Sequence, residues 1–415
     1  MPRPGAVQER ADQLIYADAN STTPMPPEVM EAWKRGANHG DPTIGASNKK
    51  RADETLDRFQ STVEDLCSMP PGIFRFVFSS GSAEASIMMI ESCVTAYAAS
   101  TKRKPHVVLG ALEEEAITQF VDRLVDYGRC QRTYALVDPA IGVPSAETVK
   151  SAIRWNTCLI SVSAACGVTG ALTNLPEISL VCFAPLGRSP DAGKRRIPFH
   201  SDLTYLYPRS VTSPETLGVD AFSVSSHMMH GPAFFGFLAI RNSLIDGYGF
   251  RAVITGRMLD MASVEATLAA HEFTFARRAE KNAILRGQIK GILTVLKEVF
   301  TISRFPNFAM PEDQRPPIHV VVLSPPQARC LPNTLLLGVI YTGRAAKGSE
   351  QLQSELEKEG VLCKAYPYGN APLLRALHFD EAPFSQSIIR ISLPDNLPKK
   401  FAQRVASGLV KVIKQ

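Results

Sequence analysis

Phe74-Arg-Phe-Val-Phe-Ser79 runs directly into Ser80-Gly81-Ser82, and AEASIMMIESCVTAYAAS follows from Ala83 to Ser100. The first stretch is short, aromatic and β-branched, which is the composition of a strand. The last is long and rich in Ala, Met, Ile and Glu, which suits a helix. A glycine sits between them. Strand, tight turn and helix in succession bring a helix N-terminus, with its unused N–H groups and positive dipole end, to the edge of a sheet. This unit commonly receives an anion.

The alternation continues outward from this unit. Before it, Asp41–Leu66 carries a polar stretch whose apolar spacing predicts a surface helix. After it, strands are expected at His106–Leu109, Thr133–Val137, Leu159–Val162, Ala221–Val224 and Gly236–Ile240. Helices are expected at Glu113–Val125 and Ser145–Trp155. Strands that alternate with helices predict an α/β fold, a mostly parallel sheet covered on both faces. Ala262–Val299 reads as long helices broken near Phe273. Beyond Pro316, HVVVL, TLLLGVIY and SIIRISL read as strands, SEQLQSELEKEG as a helix, and the last eighteen residues as an amphipathic helix. The expected division is an N-terminal extension at 1–15, a large domain at 16–262, and a long helix with a smaller α+β domain at 263–415. Pro176–Pro198 contains a loop rich in Pro, Gly and basic residues. No internal repeat or low-complexity tract stands out.

Composition narrows the function. At 415 residues the chain is long enough for two or three domains. It is 45% hydrophobic and 20% charged, which excludes a disordered chain. A net charge of +5 is a weak field over this length, and no polybasic tail asks for nucleic acid. The eight cysteines, at 67, 93, 130, 158, 166, 182, 330 and 363, form no CxxC pair. Their spacing suggests neither a disulfide framework nor a zinc site, so a reducing intracellular compartment is expected. No apolar run approaches the ~20 residues of a membrane span. The opening MPRPGAVQERADQ reads as neither a secretory signal nor a good presequence.

Four segments, in order, carry a family resemblance. Tyr16-Ala-Asp-Ala-Asn-Ser-Thr-Thr-Pro24 is similar to Y-x-D-x-N-A-T-T-P, and Phe78-Ser-Ser-Gly-Ser-Ala-Glu84 to F-T-S-G-x-T-E. Phe199-His-Ser-Asp202 is similar to F-H-x-D, and Ser223-Val-Ser-Ser-His-Met-Met-His-Gly-Pro232 to S-x-S-x-H-K-x-x-G-P. Leu331-Pro-Asn-Thr-Leu335 and Ile389-Arg390-Ile-Ser-Leu393 add two later matches. The chain resembles the cysteine desulfurase and selenocysteine lyase branch of the class V aminotransferases. This implies a pyridoxal phosphate (PLP)-dependent transferase fold of type I. In that fold a large domain holds a mostly parallel seven-stranded sheet, and the C-terminal domain is a smaller α+β unit.

The family's chemistry can be checked residue by residue against this resemblance. The lysine that forms an imine with PLP corresponds to Met228, and a thioether can form no imine. No lysine lies between Lys194 and Lys281. The histidine that stacks on the ring corresponds to Glu114, which reads as an ordinary acid in a helix's first turn. The phosphate threonine corresponds to Ala83. The Gly81–Ser82 turn, Ser225 and His227 remain, either as anion donors or as buried hydrogen-bonding residues. Asp202 keeps the place of the carboxylate that protonates the ring nitrogen. The ring-contacting glutamine and asparagine correspond to Tyr205 and Cys166, and a buried cysteine is mostly a small hydrophobe. Arg390 matches the substrate-carboxylate arginine; in an apolar strand it needs a partner, either a ligand or an acid of this chain. The dimer-contact segment corresponds to Ile254-Thr-Gly-Arg257. The nucleophile loop reads Tyr-Pro-Tyr-Gly-Asn370, with no cysteine, and Cys363 lies earlier, inside a strand.

These losses together imply a catalytically inactive, desulfurase-like protein that acts as a structural or assembly subunit. It would have no covalent cofactor and no metal, and PLP would bind only non-covalently. Two other readings stand beside it. One is a non-covalent binder of PLP or another phosphate or carboxylate. The other is a PLP enzyme with a rearranged site and Lys364 as base. The resemblance further implies a homodimer or a place in a larger assembly, with the mitochondrial matrix as compartment. A membrane or nucleic-acid partner is not expected.

Overall fold

The computed structural model describes residues 14–415 except 39–44, 140, 186–193, 211–212, 249–259, 312–313, 315, 367–371, 378, 380 and 398–399. Helices α1 (Pro27–Ala37) and α2 (Ala46–Leu66) come first, then β1 (Phe74–Ser79) and α3 (Ser82–Thr101). The alternation continues through β2 (His106–Gly110), α4 (Glu115–Asp126), β3 (Gln131–Ala135), α5 (Ala146–Ala152) and β4 (Thr157–Ser161). Then come β5 (Phe199–Asp202), β6 (Ala221–Ser225), β7 (Gly236–Arg241) and the paired helices α6 (Met261–Phe275) and α7 (Arg278–Val299).

β1 to β7 form the seven-stranded sheet, in the order β1-β7-β6-β5-β4-β2-β3. β7 pairs antiparallel with both β6 and β1, and the other pairs are parallel. The central strands are buried along their whole length, as expected where helices cover both faces. Phe59 and Val63 of α2 and Val264 and Leu268 of α6 close one face over Phe222 and Phe237. Met89 and Cys93 of α3 and Ile117 and Val121 of α4 close the other. α2 buries Ala52, Thr55, Phe59 and Val63, a three-and-four spacing that points one stripe at the core.

The C-terminal part has its own sheet. β8 (Thr301–Arg304), β9 (Ile318–Val322), β10 (Thr334–Tyr341), β11 (Lys364–Tyr366) and β12 (Ile388–Ser392) stand in the order β8-β9-β10-β12-β11. α7 and, after α8 (Ser349–Lys358), α9 (Phe401–Lys414) pack Leu285, Ile289 and Leu409 against Val320 and Leu337. A further apolar cluster joins the two parts, with Leu112 and Cys166 from the first and Leu336 and Phe384 from the second.

The expected strands and helices appear, with shifted ends. The strand expected at Thr133–Val137 runs from Gln131 to Ala135, because β2 sets its register by pairing His106 with Gln131 and Gly110 with Ala135. The helix expected at Ser145–Trp155 stops at Ala152. Ser145 caps its start reciprocally with Thr148, and Ile153 is already extended. The helical break expected near Phe273 falls at Ala276, and Arg277 there adopts a left-handed φ of 52°. The strand read through Cys363 is two short pieces with Cys363 between them. Most of the Pro- and Gly-rich loop, at 186–193, lies outside the described residues, as do the Ile254–Arg257 segment and the nucleophile loop at 367–370.

A buried ion pair ties the two parts together. Arg209, after β5, donates to Asp395, just past β12. His230 Nε2 stands 3.3 Å from the other Asp395 oxygen, and its Nδ1 lies 2.9 Å from the Pro24 carbonyl. Burial pushes the Asp395 carboxyl up, but the charge on Arg209, the close approach of His230 and the hydrogen bond from Arg209 outweigh it and hold it well below the carboxylate range. Replacing one member leaves its partner charged, buried and alone. Asp395→Leu is therefore expected to lower unfolding free energy by about 3–5 kcal/mol, read from urea melts. The double variant Arg209→Met, Asp395→Leu should recover most of that loss.

Candidate functional site

The expected site residues converge at the C-terminal ends of the parallel strands, where α/β sheets hold their ligands. β1 ends in the Gly81 turn, β2 leads to Glu113 and Glu114, β4 to Ser163 and Cys166, β5 to Asp202 and Tyr205, and β6 to Ser225 and His227. β7 passes so close beneath the Gly81 turn that a Cβ on Gly236 would stand 2.7 Å from Gly81 Cα and 2.5 Å from the Val224 oxygen.

The Gly81 turn is closed by the chain itself. The Ser82 N–H donates to Ser225 Oγ at 2.7 Å, and the Ser225 hydroxyl donates to Ser82 Oγ at 3.0 Å. The Ser80 N–H donates to the Glu84 carboxylate at 2.6 Å, a charge placed at the positive end of α3. The Ser225 N–H donates to Thr204 Oγ1 at 3.0 Å, and the Thr204 N–H to Asp202 Oδ1 at 2.8 Å. Burial pushes the Asp202 carboxyl up, against the hydrogen bonds of Thr204 and Ser82. Ala83 adds no donor to this group. Ser225 is thus a buried hydrogen-bonding residue. His227 is half-buried, with Nδ1 3.3 Å from Thr22 Oγ1 and its carbonyl accepting from the Thr23 N–H and hydroxyl. Met228 follows it and is 5% exposed.

Glu114 stands at the N-cap of α4, with Glu115 in the first turn. It makes no capping hydrogen bond and is exposed to solvent. Burial and the nearby Asp202 push its carboxyl up to about 7. Like charge and low dielectric both disfavour its ionised form. Its neighbour Glu113 is 7% exposed and accepts from the Ser163 N–H and hydroxyl at 2.6 and 2.7 Å. Burial raises Glu113 to about 8 despite those bonds.

Tyr205 lies over Gly167, where a Cβ would stand 2.2 Å from the phenol ring. Burial, then the charge on Glu114, pushes the phenol's pKa up. Arg390 is 4% exposed and has its partners within the chain. It donates to Asp18 at 2.6 Å, Ser21 Oγ at 2.8 Å and the Gly167 carbonyl at 2.9 Å, and it stands over the Tyr366 ring. Asn20 Nδ2 also donates to the Gly167 carbonyl, at 2.9 Å. Cys166 is buried in the cluster that joins the two sheets. All eight cysteines are free and buried. Glu113, Ser163, Gly167, Asp18 and Ser21 were not among the expected site residues. Glu113 and Ser163 follow strand ends, and Asp18 and Ser21 stand inside the Tyr16–Pro24 motif, which was the available signal.

A carboxyl that keeps its proton to higher pH when folded makes the folded state bind more protons than the unfolded chain. Stability from Glu113 is then full below its ordinary value of 4.5 and is lost as pH rises toward about 8. Melting temperature should fall across this window. Glu113→Gln should flatten the fall, measured by thermal melts at stepped pH; an unchanged slope would remove Glu113 as its source.

The family model for aminotransferase class-V matches residues 15–273. The selenocysteine lyase of Xenopus tropicalis is 27% identical over 239 residues, which cover 55% of this chain and 54% of that protein. The mitochondrial cysteine desulfurase of Eremothecium gossypii is 26% identical over 242 residues, covering 57% of this chain and 46% of that protein. The chain thus spans about half the length of the curated relatives it matches. Among solved structures, a NifS-like protein superposes with a TM-score of 0.77 at 18% identity, covering 97% of this chain and 99% of the other. The cysteine desulfurase CsdA of Escherichia coli gives 0.71 at 15% identity, covering 100% and 99%. These likenesses show the fold, the type I fold of PLP-dependent transferases. The family match extends over more than half of the chain, through the strands and turns that build the site, and the chain belongs to the aminotransferase class-V family, its kin being PLP-dependent cysteine desulfurases and selenocysteine lyases.

Proposed function

We propose that this protein keeps the fold of its family without the chemistry, and works through its surface as a structural or assembly subunit. The carrying observation is Met228 in the turn after β6, at the position of the family's imine-forming lysine. A thioether neither forms an imine nor carries a proton.

The other donors fit PLP no better. When bound, the cofactor supplies an electron sink to an amino-acid substrate. Here Ser225 Oγ is engaged by the Ser82 N–H, and Asp202 accepts from the Thr204 N–H. Glu114 adds a second carboxyl beside Asp202, and no aromatic face replaces the stacking histidine. Arg390 is paired with Asp18. No reaction step passes through PLP in this reading. Cys363 offers no substitute nucleophile: it is buried in the second core, and burial pushes its thiol up to about 12, leaving little thiolate at neutral pH.

The working protein is a homodimer or a subunit of a larger assembly, divided into a large unit at 16–262 and a smaller one at 263–415. The relatives named mitochondrial support a mitochondrial compartment. No helix among the described residues is long and apolar enough to cross a membrane.

The test is to mix the purified protein with excess PLP, record its visible spectrum, reduce with borohydride and map lysines by mass spectrometry. No internal-aldimine band and no reduced adduct are expected. A specific adduct on one lysine, Lys364 included, would overturn the proposal.

A further inference from the structure

The end of the large sheet opposite the site carries an excess of positive charge that the fold does not use. The segments leading into β2, β3 and β4 lie side by side there. The Gln131 N–H donates to the Pro105 carbonyl at 2.8 Å, and the His106 N–H to the Asn156 carbonyl at 3.0 Å. Asn156 Nδ2 donates to the Lys104 carbonyl at 2.9 Å and to Gln131 at 3.1 Å. These bonds bring Lys102, Arg103, Lys104 and Arg154 to one pole. Arg195 joins them by donating to the Thr157 carbonyl and standing over the Tyr97 ring.

The first use for such cations is to balance helix ends. Helices of βα units run back against their strands, so α3, α4 and α5 all end at this pole. Three C-termini supply roughly −1.5 elementary charges together. Lys102 is itself the cap of α3, in a left-handed conformation with φ of 56°. Glu91 and Asp122 are already taken by two further arginines, Arg129 at 2.7 Å and Arg132. Among the described residues, none of the five cations named above has an ion-pair partner. Five positive charges exceed the helix ends even with Asp126, at the end of α4, counted against them. They equal the formal net charge of the whole chain, +5. Trp155 is half-buried among them with Arg103 over its indole at 5.2 Å, and Tyr127 beside the pole is 77% exposed. Cation and flat ring together form a surface suited to carboxylates and apolar stems.

We infer that this pole docks an acidic segment of a partner protein. Neighbouring strands lie ~4.8 Å apart, so three strand ends span only about 10 Å, the reach of three or four extended residues. Three or four Asp or Glu side chains of a peptide fit that span, and the patch is too short to follow a nucleic-acid backbone through several phosphates. The inference rests on the pole alone and stands whether or not the opposite cleft binds PLP.

The test uses the full-length protein and a fluorescein-labelled polyglutamate peptide, followed by anisotropy, with a single-stranded RNA of similar charge in parallel. Wild type is expected to bind the peptide more tightly than the RNA, and more weakly as salt rises. The variant K102E/K104E/R154E should lose at least roughly tenfold in affinity, with the neutral variant K102Q/K104Q/R154Q in between. Thermal melts of each variant verify folding. Equal peptide binding by wild type and the folded neutral variant, tighter RNA binding, or no peptide binding at low salt would overturn the inference. Failure of the PLP test would leave these readouts unchanged.

Discussion

The guanidinium of Arg390 is the point on which the cleft is assembled. It projects from β12 of the second sheet and is almost wholly buried. A charge in that position persists only if its donors are met. Here the two terminal nitrogens are met by Asp18 and Ser21 from the N-terminal motif and by the Gly167 carbonyl from beyond β4, while Nε is buried without a hydrogen-bond partner among the described residues. Three distant stretches of chain are therefore fixed relative to one another by one side chain. Asn20 reinforces the arrangement by reaching the same carbonyl and Thr334. The contact serves architecture without a substrate, which is why an arginine in an apolar strand is stable here.

The cleft that results has the walls of a cofactor site and a different electrostatic interior. The turn before α3 would present free N–H groups to a phosphate, but Ser225 and Glu84 already receive two of them. Beside the same turn, Asp202 stands within reach of Ser82, with Glu113 and Glu114 near it, all three with raised pKa values. Buried carboxyl groups lower their cost by staying protonated, and a protonated group hydrogen-bonds without adding charge. Glu113 and Asp202, both buried and hydrogen-bonded, form a neutral, internally bonded layer, and Glu114 lies at its exposed edge.

Much of this was legible in the sequence, for identifiable reasons. The strand–turn–helix at Phe74–Ser100 was visible because a β-branched run, a glycine and a helical run each have a strong local signal. The turn that holds Met228 was legible because Ser225, His227, Gly231 and Pro232 fix its place after β6. Strand ends were less so: Thr133–Val137 moved to Gln131–Ala135 because its limits are set by pairing with β2, a contact between chain segments far apart. The partners of Arg390 were hidden for the same reason, since Asp18 is 372 residues away. The nearness of Glu114 to Asp202 was hidden in the same way, since neither segment contains any trace of the other.

The Tyr205 ring seated on Gly167 has one more consequence. The two positions occupy a single volume, so the size of one limits the other. Any side chain at 167 demands a smaller residue at 205, while a smaller residue at 205 opens a void above the glycine. Across descendants of this chain the pair is free to vary only in step. A smaller side chain at 205 would have to pass through a loosened core before anything could be gained in the cleft.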